Sequence, residues 1–232
     1  MSEPDGRQGN EVSRRVLLQR IALAVASAGV LDLKAGRHVH KAVSQEKQRT
    51  GEYTPQCFNG GEYQTLQRLS ELIIPADGRS GSALDAGAPE FIDVLANQNE
   101  ELAEIFISGI FWLDREMGRR RARRFAEATE EEQIRLLDDL AAVADRSAGM
   151  LIDFHSAPEY AGFQDYTARP GGRLGPGARF FVWARRLIVD AFYTSPIGYE
   201  DVDYKGNHYR TEYEVPQEAI DYVMKRSPLG TA

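Results

Sequence analysis

The sequence predicts an all-α fold, a single irregular helical domain of about six helices over residues 62–232. An N-terminal segment, residues 1–33, and a polar linker, residues 34–61, precede it. Three observations carry this prediction. Apolar residues recur at steps of three and four in one segment after another. Prolines, glycines and small polar clusters fall between those segments, where helices stop. Strand signals are weak, and there is no internal repeat.

Composition sets the outer limits. Of 232 residues, the part beyond the leader and linker is one domain of ordinary size, able to bury a core without staples. The net charge of −7 argues against a nucleic-acid partner, because phosphate contacts need a basic surface. There is one cysteine, Cys57, so no internal disulfide can form. Cys57 reads best as a buried small residue; a free thiol and a bridge to a partner are the alternatives.

The first segment holds Ser13-Arg14-Arg15-Val16-Leu17-Leu18-Gln19, followed by a small-residue-rich apolar run over residues 21–33. Adjacent arginines ahead of a short apolar stretch are the layout of a twin-arginine export signal, with Arg14, Arg15, Leu17 and Leu18 as its reading positions. As a helix the run would reach about 20 Å, short of the roughly 30 Å hydrocarbon core. It therefore suits a signal better than a membrane span. Ala26-Ser27-Ala28 is a weak cleavage site. The alternative reading is a short amphipathic helix packed on the body. The twin-arginine translocon moves folded proteins, so the export reading expects a periplasmic chain, with membrane association as a further option.

Residues 34–61 read as linker because charges abound and large apolar residues are few. His38 and His40 lie within it. A His-x-His pair can bind a metal on a strand, but no further ligands lie near, so solvated histidines are expected. Pro55 and Gly60-Gly61 suit an irregular lead-in.

From Glu62 a helix is expected, with Tyr63, Leu66, Leu69, Leu72 and Ile73 on one face and Pro75 as its stop. The polar stretch 76–82 reads as a turn, with Asp77 capping it. Pro89 suits the first turn of the next helix, through Phe91, Ile92 and Leu95. Residues 100–117 form the clearest helix, with Leu102, Ile105, Phe106, Gly109, Ile110, Leu113 and Met117 at helical steps. Phe111 and Trp112 widen its stripe, so burial on more than one side is expected. The basic run Arg119-Arg120-Arg121-Ala122-Arg123-Arg124 reads either as a phosphate or lipid patch or as a solvated helix end, where cations offset the dipole; Glu127 and Glu130 to Glu132 lie close enough in sequence to pair with it. Thr129 and Glu132 make a capping box for a helix carrying Ile134, Leu137, Leu140 and Ala141. A Gly/Pro-rich loop over residues 160–177 follows. The next helix, 178–193, bears Phe181, Ala184, Leu187, Ile188 and Phe192. Pro196 and Gly198 then predict a sharp turn. Pro216 opens a short amphipathic helix with Ile220 and Val223.

The motifs that are missing narrow the chemistry. The sequence has no Cys-x-x-Cys-His, no cysteine set for an iron–sulfur cluster, no Gly-x-Gly-x-x-Gly and no Gly-x-Ser-x-Gly. His155 and His208 lie far apart, each without an evident partner carboxylate. The chain is expected to carry no catalytic, cofactor or metal residues of its own.

Two stretches carry a resemblance. Thr65-Leu66-Gln67-Arg68-Leu69-Ser70-Glu71-Leu72-Ile73-Ile74-Pro75-Ala76-Asp77, with Ala86-Gly87-Ala88-Pro89-Glu90-Phe91-Ile92-Asp93, resembles the opening of the gluconate 2-dehydrogenase subunit 3 family. Arg179-Phe180-Phe181, through Phe192-Tyr193-Thr194-Ser195-Pro196-Ile197-Gly198-Tyr199 to Tyr204-Lys205-Gly206-Asn207, resembles its close. The resemblance implies a small cofactor-free subunit of a periplasmic or membrane-associated dehydrogenase. Its implied partners are a flavoprotein of the glucose–methanol–choline type holding FAD, a multihaem cytochrome c in some complexes, and the twin-arginine translocon. The flavoprotein would be carried out folded on the small subunit, which binds, stabilises and escorts it. Tyr193, Pro196, Ile197 and Tyr199 become candidates for partner contact; a fold-back of this stretch over the core is the alternative. The competing functional reading is a free-standing exported helical ligand-binding protein or enzyme using Asp77, His155, His208 or the tyrosines. A membrane-held scaffold is a third.

Overall fold

A computed structural model describes residues 13–28, 31–149, 171–203 and 215–226. Among the described residues there are nine α-helices and no strand, so the fold is all-α; seven of the helices, from Gly60 onward, stand where about six were expected. They are α1 (Arg14–Ala28), α2 (Leu33–Thr50), α3 (Gly60–Ile73), α4 (Ala88–Ala96), α5 (Glu100–Arg121), α6 (Glu130–Gly149), α7 (Gly175–Tyr193), α8 (Pro196–Asp201) and α9 (Gln217–Arg226). A 3₁₀ turn, Phe125–Glu127, joins α5 to α6. The chain divides into two compact units, residues 1–202 and 203–232. Within the second unit, α9 exposes Ile220, Tyr222, Val223 and Met224.

The first unit is built around α4. This helix is only nine residues long, but apolar residues surround it, and every one of its residues except Glu90 is buried. A helix apolar all round must be covered all round, and α4 packs on α1, α2, α3, α5 and α7. Pro89 sits in its first turn, and Gly87 before it takes a left-handed φ of 76°.

The second axis of the unit is the α5–α7 pair. From α5, Leu102, Phe106, Ile110, Leu113 and Met117 are fully buried; from α7, Ala178, Ala184, Ile188 and Ala191 are. Phe106 and Phe180 meet edge to face at 5.7 Å. Two glycines let the backbones approach. A Cβ on Gly109 would stand 2.0 Å from Cδ2 of Phe180, and one on Gly177 would stand 2.1 Å from Cζ3 of Trp112. The two-sided burial expected of α5 is not found. Its buried residues make one stripe, while Phe111 is 65% exposed.

Caps and ion pairs fix the remaining joints. Asn59 caps α3 and Glu62 returns the bond to the Asn59 amide, a complete capping box. Thr129 and Glu132 make the reciprocal pair expected before α6, at 3.4 and 3.2 Å. Gln133, buried in α6, donates to the Phe125 carbonyl at 2.7 Å and accepts from Arg68 of α3 at 2.8 Å. Asp114 accepts from the Phe125 amide and from Arg124, which seats the 3₁₀ turn on α5.

Residues 34–61, expected as a polar linker, instead carry α2 and the start of α3. Asp32 caps α2 by accepting from the Ala35 amide at 2.7 Å, Lys47 and Arg49 lie in its last turn, and Gly51 closes it with φ of 81°. The apolar stripe is narrow, Gly36, Val39, Ala42 and Val43, but all four residues are buried. Helix α1 is likewise packed on the body. It buries Leu18, Ile21, Ala22, Val25 and Ala26 and contacts α4, α5 and α2. No helix among the described residues is long and apolar enough to cross a membrane.

Candidate functional site

Two of the stretches singled out in the sequence, 86–93 and 192–199, lie far apart in the chain and are brought together by α2. Its residues reach both. Lys47 Nζ pairs with Glu90 of α4 at 2.7 Å. The His40 ring packs on Phe91 at 4.8 Å. On the other side, His40 Nε2 donates to the Ala191 carbonyl at 2.9 Å and lies 3.2 Å from Thr194 Oγ1. One turn earlier, Arg37 Nε donates to the Tyr199 hydroxyl at 2.9 Å, with its guanidinium 4.9 Å from the ring centre. Gly36 allows this closeness, because a Cβ there would stand 2.5 Å from Thr194 Cβ.

His40 is therefore not a solvated linker residue. It is a half-buried clasp between α2, α4 and the end of α7. Burial lowers its pKa below the usual 6.5, against smaller upward pulls from the Ala191 bond and from Glu90. The neutral imidazole is the form that fits. The signals that disclose α2 in the sequence are the Asp32 cap, the 36–39–42/43 spacing and Gly51.

The second feature is Asp93. Its carboxylate is fully buried and accepts four hydrogen bonds from the stretch before α3. The Tyr53 hydroxyl donates at 2.7 Å, and the amides of Gln56, Cys57 and Phe58 donate at 2.8, 2.9 and 3.1 Å. Backbone and phenol dipoles thus compensate a buried charge. Around it, burial first and then the Asp93 hydrogen bond and charge push the Tyr53 hydroxyl far up. Burial, followed by the charges of Asp93 and Glu62, pushes the Cys57 thiol up to about 11. At neutral pH Cys57 is a protonated, half-buried thiol, poorly suited to nucleophilic work.

The candidate partner-contact residues lie at the end of α7. Tyr193 is 41% exposed and Pro196 is exposed, whereas Ile197 is half-buried against the core. Tyr199 is half-buried and held by Arg37, so it folds back on the body. The predicted sharp turn is the short helix α8, capped by Ser195, whose hydroxyl accepts from the Gly198 amide at 3.1 Å. Asp77 caps a turn as expected, accepting from the Arg79 and Ser80 amides, and these bonds hold its carboxyl below the usual range.

The basic run is an ion-pair joint rather than an open anion patch. Glu116, 3% exposed, takes Arg119, Arg120 and Arg173; Arg120 also reaches Asp139, Arg121 reaches Glu132, and Arg124 reaches Asp114. The carboxylates of α5 and α6 draw these cations across the helix junction. At the N-terminus, Arg14 and Arg15 are exposed, Leu17 is half-buried and Leu18 is buried. Arg14 donates to the Ala42 carbonyl at 2.8 Å. His155, His208 and the stretch 204–207 lie outside the described residues.

Among the described residues no group of three or more His, Cys, Asp and Glu could hold a metal. Among the described residues, Asp93 with Tyr53 and His40 with Thr194 are engaged in joining one segment of the chain to another. An open groove of about 660 Å³ lies between α5 and α7, lined by Phe111, Trp112, Trp183, Arg115 and Arg179 among others.

No curated protein and no solved structure matches the chain. The family described as gluconate 2-dehydrogenase subunit 3 matches residues 61–210, which takes in Asp93, though not its donors at residues 53–58, together with the α5–α7 pair and the Tyr193–Tyr199 turn. On that match, the chain belongs to the gluconate 2-dehydrogenase subunit 3 family.

Proposed function

We propose that this chain is a non-catalytic small subunit that binds, stabilises and escorts a flavin-dependent sugar or polyol dehydrogenase of the glucose–methanol–choline type. The observation that carries the reading is the family match over residues 61–210, a family named for a subunit of a dehydrogenase complex. The fate of the polar groups supports it. Among the described residues, the buried Asp93, Glu116 and Gln133 and the half-buried His40 hold parts of the fold together. In this reading FAD belongs to the large subunit, and haem c, in complexes that have a cytochrome, to that third subunit. The large subunit rests in part on the exposed Tyr193 and Pro196, since aromatic side chains make strong interface anchors. Tyr199 acts indirectly, by fixing the turn that presents them.

The escort travels by the twin-arginine route to the periplasm, guided by Arg14 and Arg15 with Leu17 and Leu18. The test is the double variant Arg14→Lys, Arg15→Lys in the native host. Both this chain and the large subunit should then stay in the cytoplasm. Periplasmic large subunit at the wild-type level would refute the escort role.

A further inference from the structure

We propose that the N-terminal helix is a self-latched export signal: the folded body holds the apolar face of α1 in its own core, and the signal is readable only when that helix lets go. The inference rests on the export reading above and adds a control step to it. Its basis is a conflict over one surface. Leu18, Ile21, Ala22, Val25 and Ala26 lie between 0 and 7% exposed, packed on the body, while Gln19, Arg20, Leu23 and Ala24 face outward. The helix contacts α4, the centre of the unit, together with α5 and α2. The first arginine of the pair is also engaged, its guanidinium bonded to the Ala42 carbonyl of α2.

A signal that enters a translocon must offer its apolar face to a lipid-side environment and its arginines to a receptor. Here the same face is the lining of the protein core, and one face cannot be buried in two places. Release from the body and engagement by the translocon are therefore competing equilibria, and tighter latching lowers the exported fraction. The exposed ridge of the helix does not resolve the conflict. Only Leu23, 57% exposed, and Val16, 39% exposed, are large apolar residues there.

Two experiments on the full chain test the latch. The first measures docking in a Cys57→Ser background, which removes the one native thiol. An Ala22→Cys thiol should react with a maleimide at least tenfold more slowly than a Leu23→Cys thiol in the native protein, and equally fast in denaturant. Equal rates in the native protein would overturn the latch. The second measures export by pulse-chase. Ala22→Leu keeps the segment apolar but adds bulk at a fully buried position, so it should free the helix and raise the exported fraction several-fold. Val25→Leu serves as a second such variant, and circular dichroism checks that each body stays folded. Release seen by faster labelling at an Ala26→Cys thiol, with no gain in export, would overturn the latch while leaving the signal itself intact. Export of Ala22→Leu that survives Arg14→Lys, Arg15→Lys would instead refute the twin-arginine reading.

Discussion

Replacing Asp93 should damage the body more than any other single change at a polar residue of α4. The carboxylate is fully buried and accepts from Tyr53 and from three successive amides, all within 3.1 Å. In Asp93→Ala these four donors lose their acceptor. Gln56 is exposed and its amide can turn to water, but Phe58 is buried and Cys57 and Tyr53 are half-buried. A buried donor left without a partner costs about 1–3 kcal/mol. Two amides and a phenol, partly relieved by local rearrangement, give a loss of about 4 kcal/mol. Against a total stability of roughly 5–15 kcal/mol this is severe. For a domain of this size it is a fall in Tm of roughly 8–16 °C. Asp93→Asn keeps the shape and one acceptor oxygen, so about half the loss is expected. The assay is urea and thermal unfolding followed by circular dichroism, with native-state thiol labelling as a local probe. Freed of Asp93, the stretch carrying Cys57 should open, and its thiol, held up to about 11 by burial and by the Asp93 and Glu62 charges, should label faster. A loss in Asp93→Ala below about 1 kcal/mol, with Cys57 labelling unchanged, would refute the reasoning, because dipole compensation of that charge would then contribute little.

Other substitutions probe the remaining joints. Gly109→Ala places a Cβ 2.0 Å from Phe180, so the ring and α7 must shift; a net loss of about 1–2 kcal/mol is expected, partly recovered by Phe180→Leu in the same chain. Gly118→Ala, in the same helix with no atom within 4 Å of the new Cβ, should be neutral or stabilising by up to about 1 kcal/mol in the same unfolding assay. His40 gives a pH signature. Its folded pKa lies below the unfolded 6.5, so the unfolded chain binds more protons below that pH. Stability should therefore be full above about pH 6.5 and fall as the pH drops through the folded value. Glu90, facing it from α4, opposes the shift, and Asp190 is tied to Arg186. His40→Gln should lose about 1 kcal/mol at pH 7.5 and show a shallower fall on acidification, read from denaturation midpoints across pH. An unchanged pH profile in that variant would place the titration elsewhere.

Much of the fold was legible because its helices carry both a periodic apolar face and explicit stops. Helix α3 ends just short of Pro75, α4 opens on Pro89, Thr129 and Glu132 cap α6, and Ser195-Pro196 opens α8. What stayed hidden depended on partners distant in sequence. Helix α2 reads as a linker because its charged and polar residues outnumber the small stripe at Gly36, Val39, Ala42 and Val43. That stripe suffices only because α4 and the end of α7 come close enough to cover it. His40 looks solvated until Ala191 and Thr194, some 150 residues away, are placed beside it. The same holds for Asp93, whose donors lie 35–40 residues earlier. Phe111 shows the opposite error. A large aromatic next to the apolar stripe of α5 looked like core, but it lies one step off the face that α7 covers, and it is exposed.

Site legibility was uneven for the same reason. The closing motif is where the sequence pointed, but its four candidates divide. Tyr193 and Pro196 face outward, while Ile197 and Tyr199 turn toward the body, Tyr199 under the hold of an arginine from a segment that looked unstructured. The basic run left an anion patch and a solvated helix end both open; the Arg121–Glu132 pair was legible from nearness in sequence, whereas the Arg120–Asp139 pair depends on how α5 meets α6. The sequence shows which residue types are present. It does not show which of them are already engaged.

The most direct test of the accessory-subunit account is to purify the tagged full chain gently from its native host, identify what co-elutes, and record the visible spectrum with sugar and an artificial electron acceptor. An accessory subunit should bring with it a larger co-eluting subunit, flavin absorption that follows that subunit on separation, and turnover only in the complex. A chain that elutes alone and oxidises a sugar by itself, or carries the flavin after the large subunit is removed, would contradict it.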